Sequence, residues 1–222
     1  MALGRIITPR APRLRRSLAG LLAFALALVA TGPVAAWSPD EFFSRCENDC
    51  AFSLFAGDYI EDSLNDMLLM RPPPTGWDFT DDDQFVGLAF SRRTRLYARH
   101  FTFEPEFGVG QRYGRQDVTE IWGALFLRYQ GLPWDAYLPT TFAVSTGLNW
   151  ASEISETERE RARDGKGDNL MHYLAPEVTF ALPDAPDSQL FFRIHHRSGV
   201  FGLVNDAHGG AHYGTIGLRI WF

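Results

Sequence analysis

The chain has 222 residues, of which 14% are aromatic, and carries a formal charge of −6. An acidic balance of this kind excludes electrostatic binding of nucleic acid, and the length suits one domain. With residues 1–36 set aside, 186 residues remain with 16 basic against 27 acidic side chains, a charge of −11.

Those first 36 residues are set aside because they read as a secretory signal. Arg5, Arg10, Arg13, Arg15 and Arg16 precede an apolar run from Leu18 to Ala30, and Val34-Ala35-Ala36 offers a small-residue cleavage site. Residues 37–50 follow as a short polar, acidic lead-in around Phe42 and Phe43, expected in the periplasm and open to a helical turn. This lead-in holds both cysteines, Cys46 and Cys50. In an exported chain the spacing predicts a local disulfide, with metal binding the weaker alternative because no histidine lies nearby.

Eight segments with period-two alternation follow, and residues 51–222 are therefore read as all-β. The segments are 51–58, 84–91, 101–112, 119–130, 142–150, 170–182, 189–198 and 213–222. The third is the most informative: Phe101, Phe103, Pro105, Phe107 and Val109 share one face, and Thr102, Glu104, Glu106, Gly108 and Gly110 the other. The last alternates Gly214, Ile216, Leu218, Ile220 and Phe222 against Tyr213, Thr215, Gly217, Arg219 and Trp221. Apolar side chains outward and acids inward reverse the pattern of a soluble barrel. The lengths suit tilted membrane-crossing strands of roughly 9–11 residues. The expected fold is an eight-stranded antiparallel transmembrane β-barrel in the cell outer membrane, its closing strand read by the barrel assembly machinery.

Between the strands, residues 59–83 contain Pro72-Pro73-Pro74 and Asp81-Asp82-Asp83, which argue against any strand there. Residues 153–168 are dense in Glu and Arg and read as a solvated, mobile loop without a site. These two, with 113–118 and 199–210, are expected outside the cell. An eight-stranded barrel is too narrow for an open pore. Its interior is expected to hold a paired network of Glu104, Glu106, Arg128, Glu177, Arg193 and Arg219, with His195 in it by parity.

The seventh strand departs from the pattern at its outer end. Leu190, Phe192, Ile194, His196 and Ser198 share the outward face, so a lipid-facing stripe ends in an imidazole and a hydroxyl. Positions i and i+2 lie about 6.6 Å apart along a strand, close enough for the imidazole to lean toward the hydroxyl and take its proton. Polar groups in a lipid-facing band are costly and point to a function. His208 and His212, beside Gly209-Gly210, are read as loop histidines without the spacing of a metal site.

With His196-Arg197-Ser198 near the top of the penultimate strand and Asn205-Asp206 in the loop beyond, the sequence resembles the PagL-type lipid A deacylases. These are outer-membrane eight-stranded barrels that hydrolyse the 3-O-linked acyl ester of lipid A. The resemblance implies His196 as general base and Ser198 as nucleophile, lipopolysaccharide as partner, and neither metal nor cofactor. It departs at Gly199, where the family has an Asn tied to the oxyanion hole, and in the lack of any Glu after Ser198; Asp206 is then the acid that orients His196. The alternatives are a non-enzymatic outer-membrane barrel that binds through its acidic loops, and a soluble lipocalin-like carrier.

Overall fold

The computed structural model describes residues 44–69, 75–95, 100–162, 165–199 and 210–222. Its elements are β1 (Cys50–Ile60), α1 (Leu64–Leu69), β2 (Phe79–Arg92), β3 (Thr94–Arg95), β4 (Phe101–Gly114), β5 (Val118–Tyr129), β6 (Thr140–Ala151), α2 (Glu156–Arg161), β7 (Leu170–Leu174), β8 (Pro176–Leu182), β9 (Ala185–Ser198) and β10 (Ala211–Trp221). Neighbours pair antiparallel, and β10 bonds both β9 and β1, so the sheet closes on itself. β7 and β8 form a single stave interrupted at Ala175, and β3 continues β2 along β4, which makes eight staves. The interruption has a local cause. Pro176 brings no N–H to the ladder, and Ser145 bridges the gap by accepting the Ala175 N–H at 2.8 Å through its hydroxyl.

The two faces of every stave match the alternation of the sequence. Phe52, Leu54, Leu88, Phe107, Val109, Leu125, Leu148 and Leu218 are exposed in a continuous apolar belt, which is the lipid-facing surface of a transmembrane barrel. Ile216 lies in the middle of this belt. Ile216→Arg is expected to destabilise the barrel by about 2–4 kcal/mol, measured by urea unfolding in lipid vesicles.

The interior is solid. In the third nearest the termini, Glu177 accepts from Arg128 at 2.6 Å, Arg193 at 2.8 Å and Arg219 at 2.8 Å, while Glu104 accepts from Arg128 and Glu106 from Arg193. The expected charge network is therefore present, with every one of its six named residues paired. Above it Phe55, Phe85, Trp122, Phe126 and Phe191 fill the waist. His195 sits in this aromatic layer, bonded to Glu120 at 2.8 Å and to the Tyr173 hydroxyl at 3.1 Å.

Outside the staves the structure corrects two expectations. Residues 59–83 are not wholly irregular: β1 runs to Ile60, α1 follows, and β2 begins at Phe79, taking in Asp81 to Asp83. The β1–β2 ribbon extends past the belt into water, where acids on a strand are hydrated and repel less; Pro72 to Pro74 lie outside the described residues. The loop at 153–168 contains α2, capped by a reciprocal pair in which the Ser155 hydroxyl accepts from Glu158 N and the Glu158 carboxylate accepts from Ser155 N. Glu158 is buried and reaches the interior arginines Arg112 and Arg197, each at 3.4 Å. One acid in a charged loop thus ties α2 to the barrel interior, so the loop is not merely solvated.

In the lead-in, residues 44–49 form bends, and residues 37–43 lie outside the described residues. Cys46 and Cys50 are disulfide-bonded, with Cα atoms 5.5 Å apart. Arg92 holds this segment against the barrel end through Asp49 at 2.7 Å and the Ser44 carbonyl at 3.0 Å. Burial works against the Asp49 carboxylate, but the Glu47 N–H and the Arg92 guanidinium outweigh it and hold its pKa below the usual range. The proposed signal, residues 1–36, lies outside the described residues.

Candidate active site on the lipid-facing wall

His196 and Ser198 share the outward face of β9 near the end remote from the termini. The strand geometry brings them together as the spacing predicts, with His196 Nε2 3.0 Å from Ser198 Oγ. The other ring nitrogen also has a partner. Register pairs His196 with His212 across β9 and β10, and the two Nδ1 atoms stand 2.5 Å apart.

The rings are within 17° of parallel with centroids 4.5 Å apart. Atoms 2.5 Å apart cannot belong to rings stacked face to face at van der Waals contact, so the imidazoles meet edge to edge through a hydrogen bond. One Nδ1 carries the proton and the other accepts it. A relay of three side chains therefore runs from Ser198 Oγ through both edges of His196 to His212.

The sequence suggests a loop at His212, but it belongs to β10, which starts at Ala211. Its parity with Gly214 and Ile216 is the signal that places it on the outward face with His196. A fourth polar side chain stands on the other side of Ser198. His172 on β7 is the register partner of Ser198, and its Nε2 lies 2.8 Å from the Thr146 hydroxyl on β6. Asp206, the acid assigned to orient His196, lies outside the described residues.

Although these residues face outward, His196 and His212 are only 5% and 6% exposed. The sequence pattern predicts lipid exposure of His196, but each ring covers an edge of the other. Next to them the barrel wall is sheltered as well: Ile60, Met67 of α1 and Trp77 form a buried cluster with Ile194. The Trp77 ring also lies 5.6 Å from that of Phe192, and its indole N–H donates to the Met67 carbonyl at 3.2 Å. Ile194 and Phe192 stand two and four residues before His196 on the same outward face. Ser198 is half-buried.

No family model matches the chain, and no curated protein matches it in sequence. Among solved structures it is similar to the outer membrane enzyme PagL, with a TM-score of 0.50 and 10% identity over 78% of this chain and 99% of that one. It is also similar to Ail, the attachment invasion locus protein of Yersinia pestis, with a TM-score of 0.36 and 11% identity over 79% and 98% of the two chains. At these identities the likeness to PagL concerns the fold, that of an outer-membrane barrel.

Proposed function

We propose that the chain is an outer-membrane hydrolase that removes the 3-O-linked acyl chain of lipid A, with Ser198 as nucleophile. The observation that carries this reading is the relay from Ser198 through His196 to His212 on the membrane-facing side of a barrel. An ester at the boundary between acyl chains and headgroups is the substrate such a placement serves. The family resemblance of the sequence names the bond.

For His196 to act as base its Nε2 must be unprotonated, so its proton resides on Nδ1 and is donated to His212 Nδ1. Ser198 Oγ attacks the ester carbonyl as its proton passes to His196 Nε2. The imidazolium then protonates the departing sugar oxygen, leaving the acyl chain on Ser198. Water resolves this acyl-enzyme by the same route in reverse. Backbone N–H groups beside Gly199 receive the developing oxyanion, in place of the Asn side chain of the family.

In this scheme His212 is a positioning residue that fixes the tautomer and ring plane of His196. His212→Ala is expected to lower kcat about 100-fold with KM little changed, and His212→Asn to recover part of the loss. Asp206→Ala is the contrasting variant. A larger loss there than at His212 would return the orienting role to Asp206. The proposal includes export by residues 1–36, a periplasmic segment at 37–50, and insertion by the barrel assembly machinery through β10. Mass spectrometry of lipid A from cells producing the protein tests the whole reading, the expected product being lipid A short of one hydroxyacyl chain.

A further inference from the structure

One polar pair on the lipid-facing wall has no part in the relay. Thr146 stands on the outward face of β6 between Val144 and Leu148, both exposed, and its hydroxyl is 2.8 Å from His172 Nε2 on β7. Polar side chains facing lipid are costly unless they serve a function. His172 is also the register partner of Ser198, and directly opposed residues carry their Cβ atoms about 4.5–5.5 Å apart. The pair therefore flanks the nucleophile on the side away from His212. Its bond to Thr146 fixes the ring. Stave β7 lies between β6 and β9, and the two nitrogens of an imidazole point to opposite sides, so a ring whose Nε2 is held by β6 turns Nδ1 toward β9 and Ser198. Among the described residues His172 Nε2 is the only acceptor for the Thr146 hydroxyl, and a hydroxyl facing lipid without an acceptor is unfavourable. Thr146 therefore donates, and the proton of the neutral ring resides on Nδ1.

We infer that His172 is a further catalytic residue, its Nδ1–H donating to the oxyanion that forms when Ser198 Oγ adds to the ester carbonyl. The inference rests on the hydrolase reading and completes it. Gly199 stands where the family has its Asn, so the side-chain donor comes from the neighbouring stave and joins the backbone N–H groups. As the Oγ–C bond forms, the carbonyl electron pair moves onto oxygen and the Ser198 proton passes to His196 Nε2. As the pair returns, the sugar oxygen leaves with that proton. His172 keeps its own proton throughout. The oxyanion is one bond from the carbon that Oγ attacks, within the span of a side chain at the opposed position. A donor held in place by Thr146 needs no reorganisation and acts beside lipid, where a dipole aimed at developing charge has its largest effect. Thr146 is then a positioning residue that acts through His172.

The test uses the full barrel in phospholipid vesicles with a hexadecyl fluorophosphonate, a probe that carries no sugar. Attack by Ser198 Oγ on phosphorus expels fluoride and leaves the phosphoryl oxygen at the oxyanion position. The rate of labelling, followed by mass spectrometry of the intact protein, thus reports the donor independently of the headgroup. His172→Phe keeps the bulk of the ring and removes the donor: labelling and kcat on lipid A are expected to fall together by about 100-fold, with KM little changed. His172→Asn, whose amide N–H stands near the place of Nδ1, should recover part of both, and Thr146→Val should lose less than His172→Phe. Heat-dependent gel mobility shows that each variant has folded. A folded His172→Phe protein labelled at Ser198 as fast as the wild type would overturn the role of His172 and leave the hydrolase standing. A raised KM with unchanged labelling would also overturn it, making His172 a headgroup contact. A wild type that the probe does not label at Ser198 would remove the hydrolase and this residue's role together.

Discussion

Ser198→Ala leaves lipid A fully acylated: the expected loss in rate is about 10⁴-fold or more, because no other hydroxyl takes over as nucleophile. Thr146 is bound to His172 on another stave and does not touch His196. His196→Ala is expected to cost nearly as much, and the double variant little more than either, since the two residues act as a unit. Correct folding has to be shown in parallel, by the heat-dependent gel mobility of the barrel. Both side chains face outward and neither enters the interior network, so folding should survive. A folded Ser198→Ala protein that still strips the acyl chain would eliminate the proposed chemistry.

The second large effect lies inside the barrel. Glu177→Gln leaves Arg128, Arg193 and Arg219 around a neutral amide, with Glu104 and Glu106 the remaining acids within the group. Removing one member of a buried charge cluster costs about 3–5 kcal/mol, because the partners stay buried and uncompensated. Glu104→Gln should cost less, since Arg128 retains Glu177. Urea unfolding in lipid vesicles separates the two variants. A change below about 1 kcal/mol for Glu177→Gln would mean that water enters and hydrates the arginines.

The alternation of the strands was legible because every stave has one lipid face and one interior face, which forces period two on the sequence. Glu104, Glu106 and Glu177 even declared which face is inside, as acids have no place against lipid. The coverings were harder to see. Glu158 stands in a charged run, and only the Ser155 to Glu158 spacing hints at a capped helix; that its carboxylate reaches Arg112 and Arg197 depends on residues about forty positions away on either side. His212 is hidden because Gly209-Gly210 just before it read as loop and the period-two pattern of the last strand is plain only from Tyr213 on. His196 and Ser198, by contrast, needed only their own spacing, since the geometry that joins them is local to one strand. Trp77 and Met67 gave no periodic signal, because a short cover on a barrel wall is defined by what it touches.

The charge cluster around Glu177 also sets the order of events during assembly. It joins β8 to β5, β9 and β10, and the Arg193–Glu106 and Arg219–Ser53 contacts span 87 and 166 positions of chain. No hairpin can form such contacts alone, so until the barrel closes Arg219 lacks Ser53 and Arg193 lacks Glu106. Intermediates short of closure are therefore poorly stabilised, and the barrel is expected to shut in one late, cooperative step. A chaperone or insertase that shields the open seam would act on that step, and its benefit should shrink in variants whose interior arginines have been replaced by apolar residues.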